Sequence, residues 1–186
     1  MRRMIRLVMT AATAVLLLAL TARAEAQSMK KTVEGVTNFT QVEATIACAR
    51  ATKPSAIAAL KTMGYKTVVN LRMASEAGAD LDAEAVAARA AGLTYVHLPF
   101  NTPASADEDV SGTVREFLKV TSDPAIRPLF VHCAGAGRAA AMWMIKRIVV
   151  DGWEEKRAWK EALMTYDEPQ SPALVWARGY ARTFKR

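Results

Sequence analysis

The stretch Phe130-Val131-His132-Cys133-Ala134-Gly135-Ala136-Gly137-Arg138-Ala139 takes an apolar run through a turn of small residues into a helix-forming segment. Leu129-Phe130-Val131-His132 reads as a buried strand, and the apolar sequence from about Arg138 to Val150 as a helix. A strand that ends in a thiol and enters a helix through small residues lets consecutive backbone N–H groups curl around one point, at which the helix also directs its positive end. Arg138, at the start of that helix, can add a bidentate guanidinium fork. The result is a cradle for a tetrahedral oxyanion with the Cys133 sulfur at its base. Inward-facing amides, a helix N-terminus and an arginine all favour thiolate over thiol, which makes Cys133 a candidate nucleophile. His132 precedes it on the strand and so faces the other way; it is expected to be satisfied by loop backbone rather than to act as the base.

Outward from this segment, strands and helices alternate. Upstream, Pro54 to Met63 has Ile57 and Leu60 at helical spacing and Gly64 as a stop, and Thr67-Val68-Val69-Asn70-Leu71 follows as a buried strand. Asp82 to Ala91 is an Ala-rich helix ended by Gly92, and Thr94-Tyr95-Val96-His97-Leu98 is a further strand closed by Pro99. Helices are also expected from about Asp109 to Val120, from Glu154 to Thr165 and from Ser171 to Lys185. This alternation argues for a three-layer α/β domain with a mostly parallel sheet of four or five strands flanked by helices, in which ligands sit beyond the carboxyl ends of the strands. Residues 27–40 read as a short polar lead-in. The four tryptophans, at 143, 153, 159 and 176, fall on apolar helical stretches and are expected in the core, as are Met142 and Met144.

The chain has 186 residues, 52% hydrophobic and 23% charged, which fits one ordinary domain and excludes a disordered, collagenous or disulfide-scaffold protein. Arg2, Arg3 and Arg6, the apolar run from Leu7 to Leu20 and the small residues of Ala24-Glu25-Ala26 have the pattern of a secretory signal peptide, with an uncleaved anchor as the alternative. The expected organisation is a removed segment 1–26 and a single domain 27–186, exported to a bacterial periplasm or beyond and not inserted in a membrane after cleavage. Residues 1–26 hold four of the 25 basic and one of the 18 acidic residues, so the formal charge falls from +7 to +4. The remaining basic residues are scattered among acids, so no nucleic-acid footprint is expected. Two histidines and two cysteines, without metal-ligand spacing, imply no metal site, and no cofactor is expected. The chain does not speak to its oligomeric state.

The His-Cys loop resembles that of the cysteine-dependent protein tyrosine phosphatase superfamily, in particular the small bacterial dual-specificity-phosphatase-like branch related to beta-lactamase hydrolase-like proteins. The likeness runs from about Asn38 to Tyr180. Residues Leu60 to Arg72 resemble the helix, turn and strand that precede the site in that branch, Ala140 to Trp153 its post-loop helix, and Ser171-Pro172-Ala173-Leu174 its final helix. The resemblance implies hydrolysis of a phosphorylated small molecule or protein through a phosphocysteine on Cys133. Phosphate would be held by the loop at Ala134, Gly135, Ala136, Gly137, Arg138 and Ala139, and no metal would be needed.

Three features depart from the family pattern. Four residues, not five, separate Cys133 from Arg138; Ala139 stands where a Ser or Thr usually follows the arginine; and Asn101 stands where the family places its general acid aspartate. Asp107 is the candidate substitute for that acid, with Glu108 and Asp109 beside it, although all three also fit an acidic helix entry. A Cys and Arg four residues apart also resemble the rhodanese sulfurtransferases, which hold a persulfide and need no acid. A third reading is a phosphatase fold that only binds an anion or a partner. In an oxidising compartment, Cys48 gains interest as a possible disulfide partner for Cys133, the alternative being a small packed hydrophobe.

Overall fold

The computed structural model describes residues 29–103 and 109–184. Its strands are β1 (Met29–Val33), β2 (Val36–Glu43), β3 (Ile46–Ala49), β4 (Thr67–Asn70), β5 (Thr94–His97) and β6 (Leu129–His132). Its helices are α1 (Ile57–Thr62), α2 (Leu81–Ala90), α3 (Ser111–Ser122), α4 (Gly137–Val149), α5 (Glu155–Thr165) and α6 (Pro172–Thr183). The sheet order is β1-β2-β3-β6-β4-β5. The four strands β3, β6, β4 and β5 run parallel, and β2 and β1 extend the β3 edge antiparallel.

Side chains on a strand alternate between faces, and here each face has its own apolar layer. Leu129 and Val131 of β6 and Val69 of β4 join Trp143, Phe117 and Leu174 in the larger core, beneath α3 to α6. Phe130 and Val68 face the other way, into a smaller core with Phe39, Tyr65, Ile57 and Leu60, closed by α1 and α2. All four residues of β6 and all four of β4 are buried, as expected of parallel strands covered on both sides. The α/β, mostly parallel, three-layer architecture expected from the sequence is present, and Trp143, Met142 and Met144 are core residues.

The sheet has six strands rather than four or five; of the three not placed from the sequence, β1 and the start of β2 lie in residues 27–40, which read as polar lead-in, and β3 lies just beyond them. Two causes hide β1 and β2. The edge strand β1 is exposed through Lys30, Lys31 and Thr32, so no apolar alternation marks it. In β2, Asn38 has φ +51° and the ladder to β3 shifts register between Gln41 and Glu43, so Phe39 and Thr40 are both buried and the period of two is lost. Gly35, at φ +75°, closes the tight turn between Val33 and Val36, which pair with each other.

At the end of the sheet remote from Cys133, α4 carries a buried ion cluster. Arg147 is 5% exposed and bonds to both oxygens of Glu161 at 2.8 and 3.1 Å, to Glu43 at 3.0 Å and to Asp151 at 3.1 Å. Its guanidinium also lies over the ring of Trp153, 4.2 Å from the centroid. Removing one partner of such a cluster strands buried charge, which typically costs about 3–5 kcal/mol. Arg147→Met should therefore lower the unfolding free energy obtained from urea titration by that order. Burial already raises the pKa of Glu161 above the usual carboxylate value, so in the variant this group takes up a proton as the pH falls. The loss of stability should accordingly be smaller at pH 5 than at pH 8.

Candidate active site

β6 delivers Cys133 to the C-terminal edge of the parallel strands, between β3 and β4, and both neighbours fasten the loop there. The Cys133 N–H donates to Ala49 O, the Ala51 N–H to Ala134 O and the Leu71 N–H to His132 O. Ala136 adopts a left-handed conformation (φ +69°, ψ −23°) as the last residue before α4. A left-handed residue followed by helical ones makes successive N–H groups converge, and a non-glycine residue held there marks a functional constraint. The first backbone hydrogen bond of α4 runs from Ala140 N–H to Ala136 O, so the N–H groups of Ala134 through Ala139 have no acceptor among the described residues. Gly137 is closely packed: a Cβ there would stand 3.0 Å from Cε1 of Tyr166, and the ring would have to give way.

Arg138 is held by more than the sequence announces. Its Nη1 donates to Glu76 Oε1 at 2.6 Å, Phe100 O at 2.7 Å and Leu71 O at 3.2 Å, and its Nη2 to Glu76 Oε2 at 2.8 Å. One edge of the guanidinium is thus anchored, and the Nε–H with the second Nη2–H forms the fork that remains. Burial opposes the charge on Arg138, but the bond to Glu76 and the nearness of Cys133 outweigh it and raise its pKa. Burial likewise opposes the charge on Glu76, yet hydrogen bonds from Arg138, the Met73 N–H and Arg72 outweigh it and hold the carboxyl below its usual pKa.

Glu76 was not legible as a site residue. The available signal was its position, four residues after Arg72 and just past the carboxyl end of a parallel strand. Arg72 fixes the same loop, donating to Gly78 O at 2.8 Å and Ala77 O at 2.7 Å, and its own carbonyl accepts from His97 Nε2 at 2.8 Å.

His132 faces away from the cradle, as expected, but its partner is not loop backbone. Its Nε2 lies 2.6 Å from Oε1 of Glu84 on α2, and both side chains are buried. Asn70 at the end of β4 donates to the other Glu84 oxygen at 2.9 Å and accepts from the Arg72 N–H at 2.7 Å. The His132 Nδ1 is buried with no partner among the described residues. A continuous polar chain, His132, Glu84, Asn70, Arg72, Glu76 and Arg138, therefore links the residue before the thiol to the arginine after it.

A cleft of about 470 Å³ opens over Cys133 and Arg138. Asn101 and Thr102 line one side of it, Met73, Ser75 and Glu76 a second, and Tyr166, Ser171 and Pro172 a third. Asn101 thus reaches the position anticipated for it, and an amide does not donate a proton as an acid. Asp109 precedes α3, its Oδ1 accepting from the Ser111 N–H at 2.8 Å. Asp107 and Glu108 lie outside the described residues. Cys48 and Cys133 are both free and buried. Cys48 pairs with Val131, two positions before Cys133. Strand spacing and rise then put the two Cα atoms about 8 Å apart, beyond disulfide reach without backbone movement. Burial, followed by the charge of Glu161, pushes the Cys48 thiol far above its usual pKa, in keeping with a packed hydrophobe.

A lysine ammonium cannot replace a guanidinium that spans a carboxylate, two carbonyls and an anion. Arg138→Lys should weaken the protection that inorganic phosphate gives Cys133 against alkylation by about 10–100-fold, as expected for loss of charge-assisted bonds. Glu76→Gln, which keeps the cation but cuts its carboxylate anchor, should fall between that variant and the parent. Equal protection in all three proteins would remove Arg138 from the anion site.

Comparison with known proteins accords with this arrangement. The family of the DSP-PTPase phosphatase fused to NAD+ kinase matches residues 24–173. Among curated proteins none matches at the sequence level. A DUF442 protein of Shewanella putrefaciens CN-32 is similar in structure, with a TM-score of 0.66 and 17% identity over 81% of this chain and 95% of its own. TpbA of P. aeruginosa, solved in complex with pTyr, has a TM-score of 0.63 and 16% identity over 88% and 99%. The core catalytic domain of the S. cerevisiae PP-IP phosphatase SIW14, in complex with citrate, has a TM-score of 0.63 and 14% identity over 82% and 88%. At these identities the solved structures speak for the fold, whereas the family match spans most of the chain and includes the Cys133–Arg138 loop: the chain belongs to the DSP-PTPase phosphatase family.

Proposed function

We propose that this chain is an exported cysteine-dependent phosphatase, hydrolysing a phosphate monoester through a phosphocysteine on Cys133. The observation that carries the reading is the six-residue run Ala134 to Ala139 of N–H groups without acceptors among the described residues, closing on a thiol at one end and an anchored guanidinium at the other. In this reading the N–H groups and the free Arg138 fork bind the non-bridging oxygens, and the charge that spreads over them in the transition state is met by donors already in place. Sulfur supplies the nucleophile and no metal is required for the displacement. TpbA, with its bound pTyr, and the PP-IP phosphatase SIW14 are neighbours in fold whose names carry phosphate ligands, which supports phosphate as the anion here.

The four-residue spacing between Cys133 and Arg138 favours a second reading, a rhodanese-type transfer in which Cys133 carries a persulfide. Aryl-phosphate hydrolysis by the reduced protein from Gln27 onward, beside Cys133→Ser, separates the two. Phosphate release that vanadate blocks and Cys133→Ser abolishes is the expected result. Sulfite release from thiosulfate in place of phosphate release would transfer the assignment to sulfur chemistry, and binding of phosphate without either turnover would leave an anion-binding module.

Export is inferred from the Arg-rich start, the Leu7 to Leu20 run and Ala24-Glu25-Ala26; among the described residues no helix is long and apolar enough to cross a membrane. The full chain expressed in a bacterial host should be recovered from the periplasmic fraction with Gln27 as its N-terminal residue. Recovery in the cytosol with Met1 retained would withdraw the signal-peptide reading.

A further inference from the structure

Beside Cys133 stands a cation that the phosphate cradle does not use. The Cys133 N–H donates to Ala49 O and the Ala51 N–H to Ala134 O, and these two bonds bracket Arg50, which therefore stands abreast of Cys133 on the neighbouring strand. The spacing of paired strands puts the two Cα atoms about 5 Å apart. Along β3, Ala47 and Ala49 face the smaller core and Ile46 and Cys48 the larger, so the next residue, Arg50, points to the side on which Cys133 lies. Its exposed guanidinium lies over the ring of Tyr166, 5.7 Å from the centroid, and Tyr166 forms a wall of the cleft. A cation–π contact steadies a guanidinium while leaving its N–H donors for another partner. Two residues of β2 fasten both members of this pair: the Arg50 N–H donates to Thr37 O at 2.9 Å, and Asn38 Nδ2 donates to Thr165 O, next to Tyr166, at 3.0 Å. The left-handed backbone of Asn38, which asparagine tolerates better than most residues, is thus found where β2 positions Arg50 and Tyr166 together.

The scissile phosphoryl group has its donors elsewhere, in the N–H groups of Ala134 to Ala139 and the free fork of Arg138. Of the three arginines that follow β3, β4 and β6, two, Arg72 and Arg138, are paired with Glu76, whereas Arg50 has no carboxylate partner among the described residues. Its charge is held at the rim of the cleft, over Tyr166, rather than at the floor where the phosphoryl group is seated. We propose that Arg50 is the specificity-determining residue of this site and receives a second anionic group, phosphate or carboxylate, that the substrate carries close to its phosphoryl group. In naming a substrate class, this rests on the phosphatase reading above. A compound whose remaining part is neutral gains nothing from Arg50. A bisphosphate, a phosphoanhydride or a phosphorylated carboxylic acid gains a charge-assisted hydrogen bond and is oriented by it, with its phosphoryl group in the cradle and its second anion on the Tyr166 side. Displacement at phosphorus by Cys133 is the same for both kinds of compound.

The test compares non-hydrolysable ligands that differ only in the second anion, and reads their protection of the reduced Cys133 thiol against alkylation, which needs no turnover. Methylene-, ethylene- and propylenediphosphonate and the phosphonocarboxylates of the same lengths are set beside methyl-, ethyl- and propylphosphonate. The best-spaced doubly anionic ligand should protect at a concentration about 10-fold lower than its singly anionic counterpart, the lower end for a hydrogen bond between charged groups at an exposed position. Arg50→Gln should bring that ratio close to one, and Arg50→Lys, which keeps the charge, should retain part of it. An advantage shared by the phosphonocarboxylates identifies a second anion of either kind; one confined to the diphosphonates identifies a second phosphate. The inference falls if no doubly anionic ligand has an advantage at any length, or if the advantage survives Arg50→Gln. It falls equally if Arg50→Gln weakens both classes by the same factor, because the arginine would then serve the phosphoryl group or the loop. Hydrolysis of phenyl phosphate by the same protein tests the phosphatase reading separately. No Cys133-dependent turnover, together with an Arg50-dependent advantage for a diphosphonate, would remove that reading and leave Arg50 as the second half of an anion-binding site.

Discussion

Everything at this site depends on holding one cation still. A guanidinium at the first turn of a helix is free to swing toward solvent. Arg138 does not, because the turn after β4 presents a carboxylate and the backbone presents two carbonyls to the same edge of the guanidinium. The anchoring acceptors come from Leu71, Glu76 and Phe100, three points of chain that meet only when the parallel strands are side by side. Fixing one edge of the group is what gives the other edge a direction, and a fork with a direction loses less entropy when an anion arrives.

The turn that supplies Glu76 is stiffened from within. Arg72 ties down the carbonyls of Ala77 and Gly78 while Asn70 holds the Arg72 N–H and reaches back to Glu84 and, through it, to His132. Thiol and guanidinium are thus referred to a common buried frame on the α2 side of the sheet, although the cleft opens elsewhere. Such buried polar chains are costly when incomplete, and the buried Nδ1 of His132, without a partner among the described residues, is the gap in this one.

Much of this was written in local sequence. Periodicity located β4, β5, β6 and the six helices within a few residues, because each buries an apolar face of regular spacing, and the Cys133 to Arg138 segment declared its cradle through small residues at a strand-to-helix junction. What escaped did so for physical reasons. β1 is an exposed edge with lysines, and β2 breaks its own alternation at Asn38, so neither has a period to read. Glu76 and Glu84 look like ordinary surface acids on a turn and a helix; only the tertiary arrangement of Arg138 and His132 against them makes them parts of the site. His132 was legible in its direction, set by strand geometry, but not in its partner, which comes from an element 48 residues away in the chain.

The strand order has a consequence for how the molecule comes into being. β6 is a central strand, yet it is the last of the six along the chain, inserted between β3 and β4, which precede it by more than fifty residues. Until residues 129–132 are present, β3 and β4 have no common neighbour and the sheet exists only as two separate pieces. Closure of these distant segments is a late and slow event for a chain of this topology. Cys133, its cradle and Arg138 are all carried by the segment that performs that closure. On the phosphatase reading, a partly made or partly folded chain holds the cysteine without its cradle, and reactivity toward phosphorus arises together with the completed sheet.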